Sequence, residues 1–537
     1  MRAGKDLVLA VAYQHGASLP HGAALDDFLG PTARIAVDTE ARALYRNWRA
    51  DRARDLTLEG ADLTSIWELE MMAQCFLPTA RLLHSLRPAL LTIGTRRLVT
   101  RGFDVSTARL IQLIGSSSGV AVQSESETSS MHDPVRRAPS RLTHVINRVG
   151  VPPRVRGEIV CMPYWSLDPA IAALARRSRR LRPVAARLLL PGLGVRRAIG
   201  VAANGGWMGV AGERLCAASR ETVSAAINQV ETSGMDDPIG AAIDAYALDT
   251  LSRIAGDTLA HVWHARHALA GGSIRLGMVP FDCEERARML LVATDTAGIP
   301  SLLVQHGFLE WGGSQEMALA DHLAIWCERD LPKPDRNPRT VTVTGNPGAA
   351  HLADRTPVRP VSRGRSIILV DYPGRLTART ESRISMRHVA TALEALEAVR
   401  PRTVAVIRPH PSDLCPESYL ELIPARGQLE IDVDTHTAIE PLLASGDLCI
   451  GSMSTATLQA CVLGVPTVVL DVAGIERPWP FLKGALPIGT QAEELADAIA
   501  AALASREIIG REAALEALGV RADAAERVVD LVAEIVR

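Results

Sequence analysis

Short aliphatic runs alternate with stretches of helical spacing through the second half of the chain. The runs are 367–371, 404–408, 448–451 and 467–471, and nearly every position in them is apolar. Strands read this way when helices cover both faces of a parallel sheet. Between them, 384–399 and 455–463 carry the helical period, and Gly464-Val465-Pro466 ends the second of these before the next strand. The end of the first half repeats the style at 274–279, 302–305, 323–326 and 341–344. The pattern predicts an α/β chain with two doubly wound, Rossmann-like domains in tandem. Nearer the start, 7–13 and 89–93 read as strands, and much of 168–260 reads as helix. The stretch 115–140, rich in Ser, Glu and Pro, reads as a long loop. Two prolines, a glycine and charge at 354–366 mark a boundary near residue 358. The expected division is a domain over 1–357, a second over 358–502 and a helical segment over 503–537, with no internal repeat of fixed period.

In an open parallel sheet, ligands bind outside the carboxyl ends of the strands, and those positions are polar here. Gln305 ends one strand and His306 follows it, Arg408 and His410 close another, and Ser452, Ser454 and Thr455 follow a third; Asp371 and Asp471 end two more. The 452–455 segment runs straight into a helix, whose unpaired N–H groups and positive dipole end suit a phosphate. Simple N-capping is the plainer reading of the same hydroxyls. Arg408 and His410, the latter between two prolines, add a rigid cationic pair that can bridge phosphate oxygens.

Composition narrows the chemistry. The chain has 537 residues and a formal net charge of −2, and only Lys5, Lys333 and Lys483 among its 58 basic residues are lysines. None of the three sits in a G-x-x-x-x-G-K-[ST] loop, so a phosphate loop is excluded. Near-neutral charge and 4% aromatic content argue against nucleic-acid binding. The eight cysteines form no C-x-x-C pair, which points away from zinc fingers and disulfide scaffolds and toward a reducing cytoplasm. No run approaches the ~18 apolar residues of a membrane span. His261, His264 and His267 share a helix face without a carboxylate or cysteine beside them, and Asp432-Val433-Asp434 imitates a metal-binding D-x-D inside a strand-like run. Both read as structural, so no metal is expected. Gly192, Gly194 and Gly200 do not fit a dinucleotide fingerprint, and no cofactor is expected. Arg176, Arg177, Arg179, Arg180, Arg182 and Arg187, interleaved with leucines, suggest a basic helix that lies on an anionic bilayer, or else a solvated helix face.

The segments IPSLLVQHGF (299–308), VTVTGNPG (341–348), VIRPHPSD (406–413) and DLCIGSMSTATLQACVLGVPTVVLD (447–471) resemble, in that order, the GT-B transferases of bacterial surface polysaccharides. The resemblance covers roughly 270–475 and is nearest to capsular polysaccharide transferases, sialyltransferases with HP and Ser motifs, and CDP-glycerol glycerophosphotransferases. It implies two Rossmann-like domains facing a central cleft, with the donor's nucleotide phosphates held by His410, Ser452, Ser454 and Thr455. It also implies a general-base role for His306. Gln459-Ala460 stands where these families often carry a glutamate before alanine to grip a ribose diol, which leaves the donor open. Gln305, Asp371 and Asp471 are candidate substrate contacts.

The leading expectation is a metal-independent glycosyltransferase that moves a sugar from a nucleotide-activated donor to a cell-surface polysaccharide or lipid-linked glycan. Its expected place is the cytoplasm, peripheral to the inner face of the plasma membrane if the arginine-rich stretch makes contact. The alternatives are transfer of a polyol phosphate from a CDP-alcohol, a nucleotide-sugar 2-epimerase of the same architecture, for which no paired set of acid and base carboxylates stands out, and a non-catalytic scaffold of polysaccharide export that keeps the fold.

Overall fold

A computed structural model of the chain describes residues 7–10, 31–93, 97–101, 105–125, 148–177, 181–186, 194–230, 237–282, 284–307, 319–330, 338–355, 364–370, 381–411, 416, 419–420, 422, 429–452, 454–472, 486–505 and 509–537. The chain forms two units: one runs to Gly348 and takes back Asp523–Arg537, and the other is Ala349–Ala522. The change of unit thus falls ahead of residue 358. The stretch 503–537 does not act as one segment, since helix Arg511–Ala517 belongs to the second unit and helix Ala524–Ile535 to the first.

The first unit opens with a small parallel sheet of β1 (Leu7–Ala10), β2 (Arg97–Arg101) and β3 (Ala121–Glu125), so the first half holds two sheets rather than one Rossmann-like domain. Helices α1 (Pro31–Arg52), α2 (Leu77–Ile93) and α3 (Val105–Ser117) belong with it. On α1, Val37, Ala41, Tyr45 and Trp48 recur at helical spacing and are buried together. The strand expected at 89–93 is instead the end of α2: Leu82, Leu86 and Leu90 are all buried, a four-residue period that marks a helix face. Residues 115–125, expected as loop, form the end of α3 and all of β3. The rest of that stretch, 126–140, lies outside the described residues.

The second sheet contains β4 (Arg154–Val155), β5 (Ile159–Cys161), β6 (Pro183–Ala185), β7 (Gly206–Trp207), β8 (Leu276–Val279), β9 (Ser301–Val304), β10 (His322–Ile325) and β11 (Thr340–Val343). From β5 onward its strands are parallel, and counted from β5 they lie in the order 3-2-1-4-5-6-7, with β4 antiparallel at the edge. The connecting helices are α4 (Asp168–Arg177), α5 (Gly194–Gly205), α6 (Glu213–Gln229), α7 (Pro238–Ala255), α8 (Thr258–Leu269) and α9 (Glu285–Thr296). Alternate strand residues face two cores. Ile159, Cys161, Leu276 and Leu302 pack with Val528 and Val532 of the last helix, while Val160, Val279 and Leu303 pack with Leu290 and Leu291 of α9.

The arginine-rich stretch is not a single helix. It leaves α4 at Arg177, and Pro183, with no N–H to continue a helix, starts the buried β6. Arg177 is ion-paired with Asp530, and Arg182 donates to the Asn204 carbonyl at 3.4 Å. Arg179, Arg180 and Arg187 lie outside the described residues. No described helix is long and apolar enough to cross a membrane.

The second unit is built on β12 (Arg365–Val370), β13 (Val404–Pro409), β14 (Glu430–Val433), β15 (Leu448–Gly451), β16 (Thr467–Leu470) and β17 (Ile488–Gly489). All pairs are parallel, and counted from β12 the order is 3-2-1-4-5-6. This winding matches that of the second sheet of the first unit. Helices α10 (Glu381–Val399), α11 (Thr455–Leu463), α12 (Ala492–Ala504) and α13 (Arg511–Ala517) accompany it, and α14 (Ala524–Ile535) closes the chain in the first unit. The α/β class with two doubly wound parallel sheets is therefore the one the aliphatic runs predict.

Candidate functional site

Reversal of strand order opens a crevice at the carboxyl ends of the strands on either side of the switch. In the second unit those strands are β12 and β15. Ser452 follows β15 directly. It is 3% exposed, and its hydroxyl has no hydrogen-bond partner although its carbonyl accepts from Thr457 Oγ1 at 2.6 Å. A buried hydroxyl left unsatisfied costs about 1–3 kcal/mol. Ser454 caps α11, its Oγ accepting from the Thr457 N–H at 3.2 Å, and the first turn of α11 holds no acidic residue. Gly464, at φ +92°, ends the helix in the left-handed region that a side chain resists. Gln459 is buried on α11.

Arg408 and His410 stand at the end of β13, next to β12 in the sheet. Arg408 Nη1 donates to the Asp434 carbonyl at 2.8 Å and lies 3.6 Å from Asp434 Oδ1. Asp434, the second acid of the apparent D-x-D, also accepts from the His436 and Thr437 N–H groups. Partial burial raises the carboxyl's pKa, but those hydrogen bonds and the Arg408 charge outweigh it and hold the group below the usual carboxylate range. Asp434 therefore positions a cation, a role that the sequence pattern did not reveal. Asp471 follows β16, and its N–H donates to the Gly489 carbonyl at 2.9 Å. Asp371 lies outside the described residues.

In the first unit the switch falls between β5 and β8. His306, two residues past β9, sits among half-buried rings that follow those strands. Its centroid is 4.4 Å from Tyr164, 5.1 Å from Trp165 and 6.1 Å from Phe281. Ser166, 1% exposed, carries a second buried hydroxyl without a hydrogen-bond partner. Asn346 is buried beyond β11, and a Cβ at Gly348 would lie 3.1 Å from the Trp165 ring and 3.3 Å from Asn346 Oδ1. Tyr164, Trp165, Ser166 and Phe281 escaped the sequence reading. Their signal was a cluster of rings just after two aliphatic runs in a chain with only 4% aromatics.

Gln305 does not reach into this crevice. Fully buried, it donates to the Gly307 carbonyl and to Asp330, both at 2.9 Å, while its Oε1 accepts from the Trp326 N–H at 2.6 Å. The amide is consumed in fixing the loop that carries His306, so it is not a substrate contact. Burial raises the pKa of Asp330, against the hydrogen bonds from Gln305 and Cys327 that favour its charge. The loop after β8 is pinned from behind. Arg288, fully buried, donates to the Asp282 and Ser65 carbonyls and pairs with Glu68 at 2.8 Å. Asp282 in turn accepts from the Leu319 N–H at 3.0 Å.

The two crevices differ in charge. Helices α4 and α9, which follow β5 and β8, carry Asp168 and Glu285 in their first turns, with Glu284 as the N-cap residue of α9. These acids occupy the dipole ends that an anion would need. Among the described residues no group of three His, Cys, Asp or Glu side chains could hold a metal. His264 is instead bonded through Nε2 to the Met208 carbonyl at 2.8 Å.

The fold is that of a doubly wound α/β protein, with an acid-free helix start at the switch point of one unit and a ring cluster near that of the other. No protein-family model matches the sequence, and no curated protein matches it. Among solved structures, the chain is similar to a UDP-GlcNAc 2-epimerase from Neisseria meningitidis bound to UDP-GlcNAc, at 11% identity and TM-score 0.45, over 71% of this chain and 100% of that one. It is also similar to Acinetobacter baumannii MurG, at 14% identity and TM-score 0.39, over 71% and 100%. A UDP-glucose: anthocyanidin 3-O-glucosyltransferase in complex with UDP matches at 11% identity and TM-score 0.37, over 71% and 99%.

Proposed function

We propose that the chain is a nucleotide-sugar-dependent glycosyltransferase of GT-B type. The carrying observation is the Ser452 crevice: a buried hydroxyl without a partner, at a switch point, beside the acid-free start of α11. That end of the sheet would satisfy an anion without lysine. The Ser454 and Thr455 turn would receive the donor's phosphates, and Arg408, steered by Asp434, and His410 would neutralise charge on the departing nucleotide. Because helix end and cations supply that stabilisation, the reading needs no metal. Asp471 and Gln459 are the side chains nearest in sequence to this cradle that would meet the rest of the donor.

His306 is assigned the acceptor's proton. An imidazole near neutral pH suits a general base, and its rings offer a sugar a flat apolar face while excluding water. The acceptor is read as a glycan or lipid-linked glycan of the cell surface. Transfer of a polyol phosphate from a CDP-alcohol would use the same cradle but leave a phosphodiester.

A thermal-shift panel with CMP, CDP, UDP and GDP tests the reading, since a ligand stabilises the folded chain according to its occupancy. One diphosphate should raise Tm, and product analysis with the matching labelled donor should yield a glycoside. A flat response to all four, as an export scaffold would give, overturns the proposal.

A further inference from the structure

The carboxyl edge of the second sheet holds a cavity separate from the ring cluster. Its walls are Met162, Met208 and Ala186 at the ends of β5, β7 and β6, with His264 and Ala265 of α8 and Met289 of α9. Gly209 makes the turn possible: at φ +82°, a Cβ there would lie 2.9 Å from His264 Nε2 and 2.0 Å from the Val151 carbonyl oxygen. Three methionines give the cavity a deformable, polarisable lining. Three polar side chains, His261, His264 and Arg286, interrupt this otherwise apolar lining. His264 is bonded to the Met208 carbonyl, and Arg286 lies 3.4 Å from Glu285. Glu284 and Glu285 at the start of α9 set acidic charge beside Arg286 and oppose an anion at that helix end.

The cavity and the ring cluster are joined by two strand ends. Beyond β5, Met162 lines the cavity and Tyr164 contacts His306; beyond β8, Phe281 belongs to the ring cluster and Arg286 to the cavity. We propose that the cavity binds an uncharged alkyl or aryl group of the same substrate that meets His306, so that the acceptor is a neutral glycoside with an apolar aglycone. This rests on the glycosyltransferase reading for the word acceptor, but not for the cavity's chemistry.

The test uses the full chain with ε-13C-methyl methionine and three probes: octyl β-glucoside below its critical micelle concentration, methyl β-glucoside, and octyl phosphate. Octyl β-glucoside should move the Met162, Met208 and Met289 methyl signals, bind about tenfold or more tighter than methyl β-glucoside through the buried chain, and outcompete octyl phosphate. Ala265→Trp, which fills the cavity, should abolish the response, and a wild-type Tm together with retained dispersion of the methionine methyl signals of the first unit shows that the variant is folded. Unmoved methionine signals, equal binding of the methyl glucoside, preference for octyl phosphate, or full binding by a folded Ala265→Trp each overturn the proposal. A UDP response without an octyl glucoside response removes only the cavity assignment. The reverse result removes only the donor reading.

Discussion

The two doubly wound sheets share a strand order and a buried serine hydroxyl without a partner near the switch, yet their crevices have opposite chemistry. Ser452 precedes a helix start free of acids, whereas Ser166 precedes α4, which begins with Asp168, and α9 in the same unit begins with Glu285. Under the proposed function, topology sets where a ligand would sit. The residues of one helical turn would set which charge it could carry, because the dipole end is either left open or already filled.

The sharpest way to break this contrast is to swap which unit fails. His306→Ala should lower turnover by about 10²–10⁴-fold, the usual worth of a general base, with nucleotide affinity unchanged. His410→Ala should weaken nucleotide affinity instead, and steady-state kinetics paired with nucleotide titration separates the two. Equal loss of both properties in either variant would end the division of labour.

Stability offers the next test. Arg288→Met leaves Glu68 buried and unpaired, which should cost about 3–5 kcal/mol in denaturant unfolding, and adding Glu68→Met should recover most of it. The damage belongs to the first unit, so UDP binding by the protein that remains folded should be unaltered. Gln305→Ala should cost about 1–3 kcal/mol by stripping Asp330 and the Trp326 N–H of partners. Its KM for acceptor should stay at the wild-type value, and a raised acceptor KM would restore Gln305 as a substrate contact.

The smallest effect is expected at His264. Burial lowers its pKa, aided by His267 and opposed by the bond to the Met208 carbonyl. A histidine whose folded pKa is depressed contributes stability above its unfolded value near 6.5, and that stability fades as pH falls through the folded value. Melting curves below pH ~6.5 should therefore drop less steeply for His264→Gln, by about one or two degrees.

Much of the second unit was readable because β12, β13, β15 and β16 are aliphatic runs buried on both faces, and α11 is bracketed by Ser454 and Gly464. The same holds for β8 to β10. Strands β5, β6 and β7 are two or three residues long and too short to show a period, which kept the first unit's winding order and its ring-lined crevice hidden. The repeat between the units lies in strand pairing rather than in residues, so no sequence period carries it. Of the candidate site, the placement of the hydroxyls, Arg408 and His306 at strand ends was legible in the sequence. Asp434, Tyr164, Trp165 and Phe281 act through neighbours distant in sequence, and only folding shows them.

Calorimetric titration with UDP, CDP and GDP of the whole chain, native and with Thr455→Asp, tests the central claim most directly. An aspartate in the first turn of α11 copies what Asp168 and Glu285 do in the other unit, and it favours the helix itself. The account predicts that one diphosphate binds the native chain and that its affinity falls about tenfold or more in a variant of equal or higher Tm. No heat from any of the three, or undiminished binding in Thr455→Asp, would contradict it.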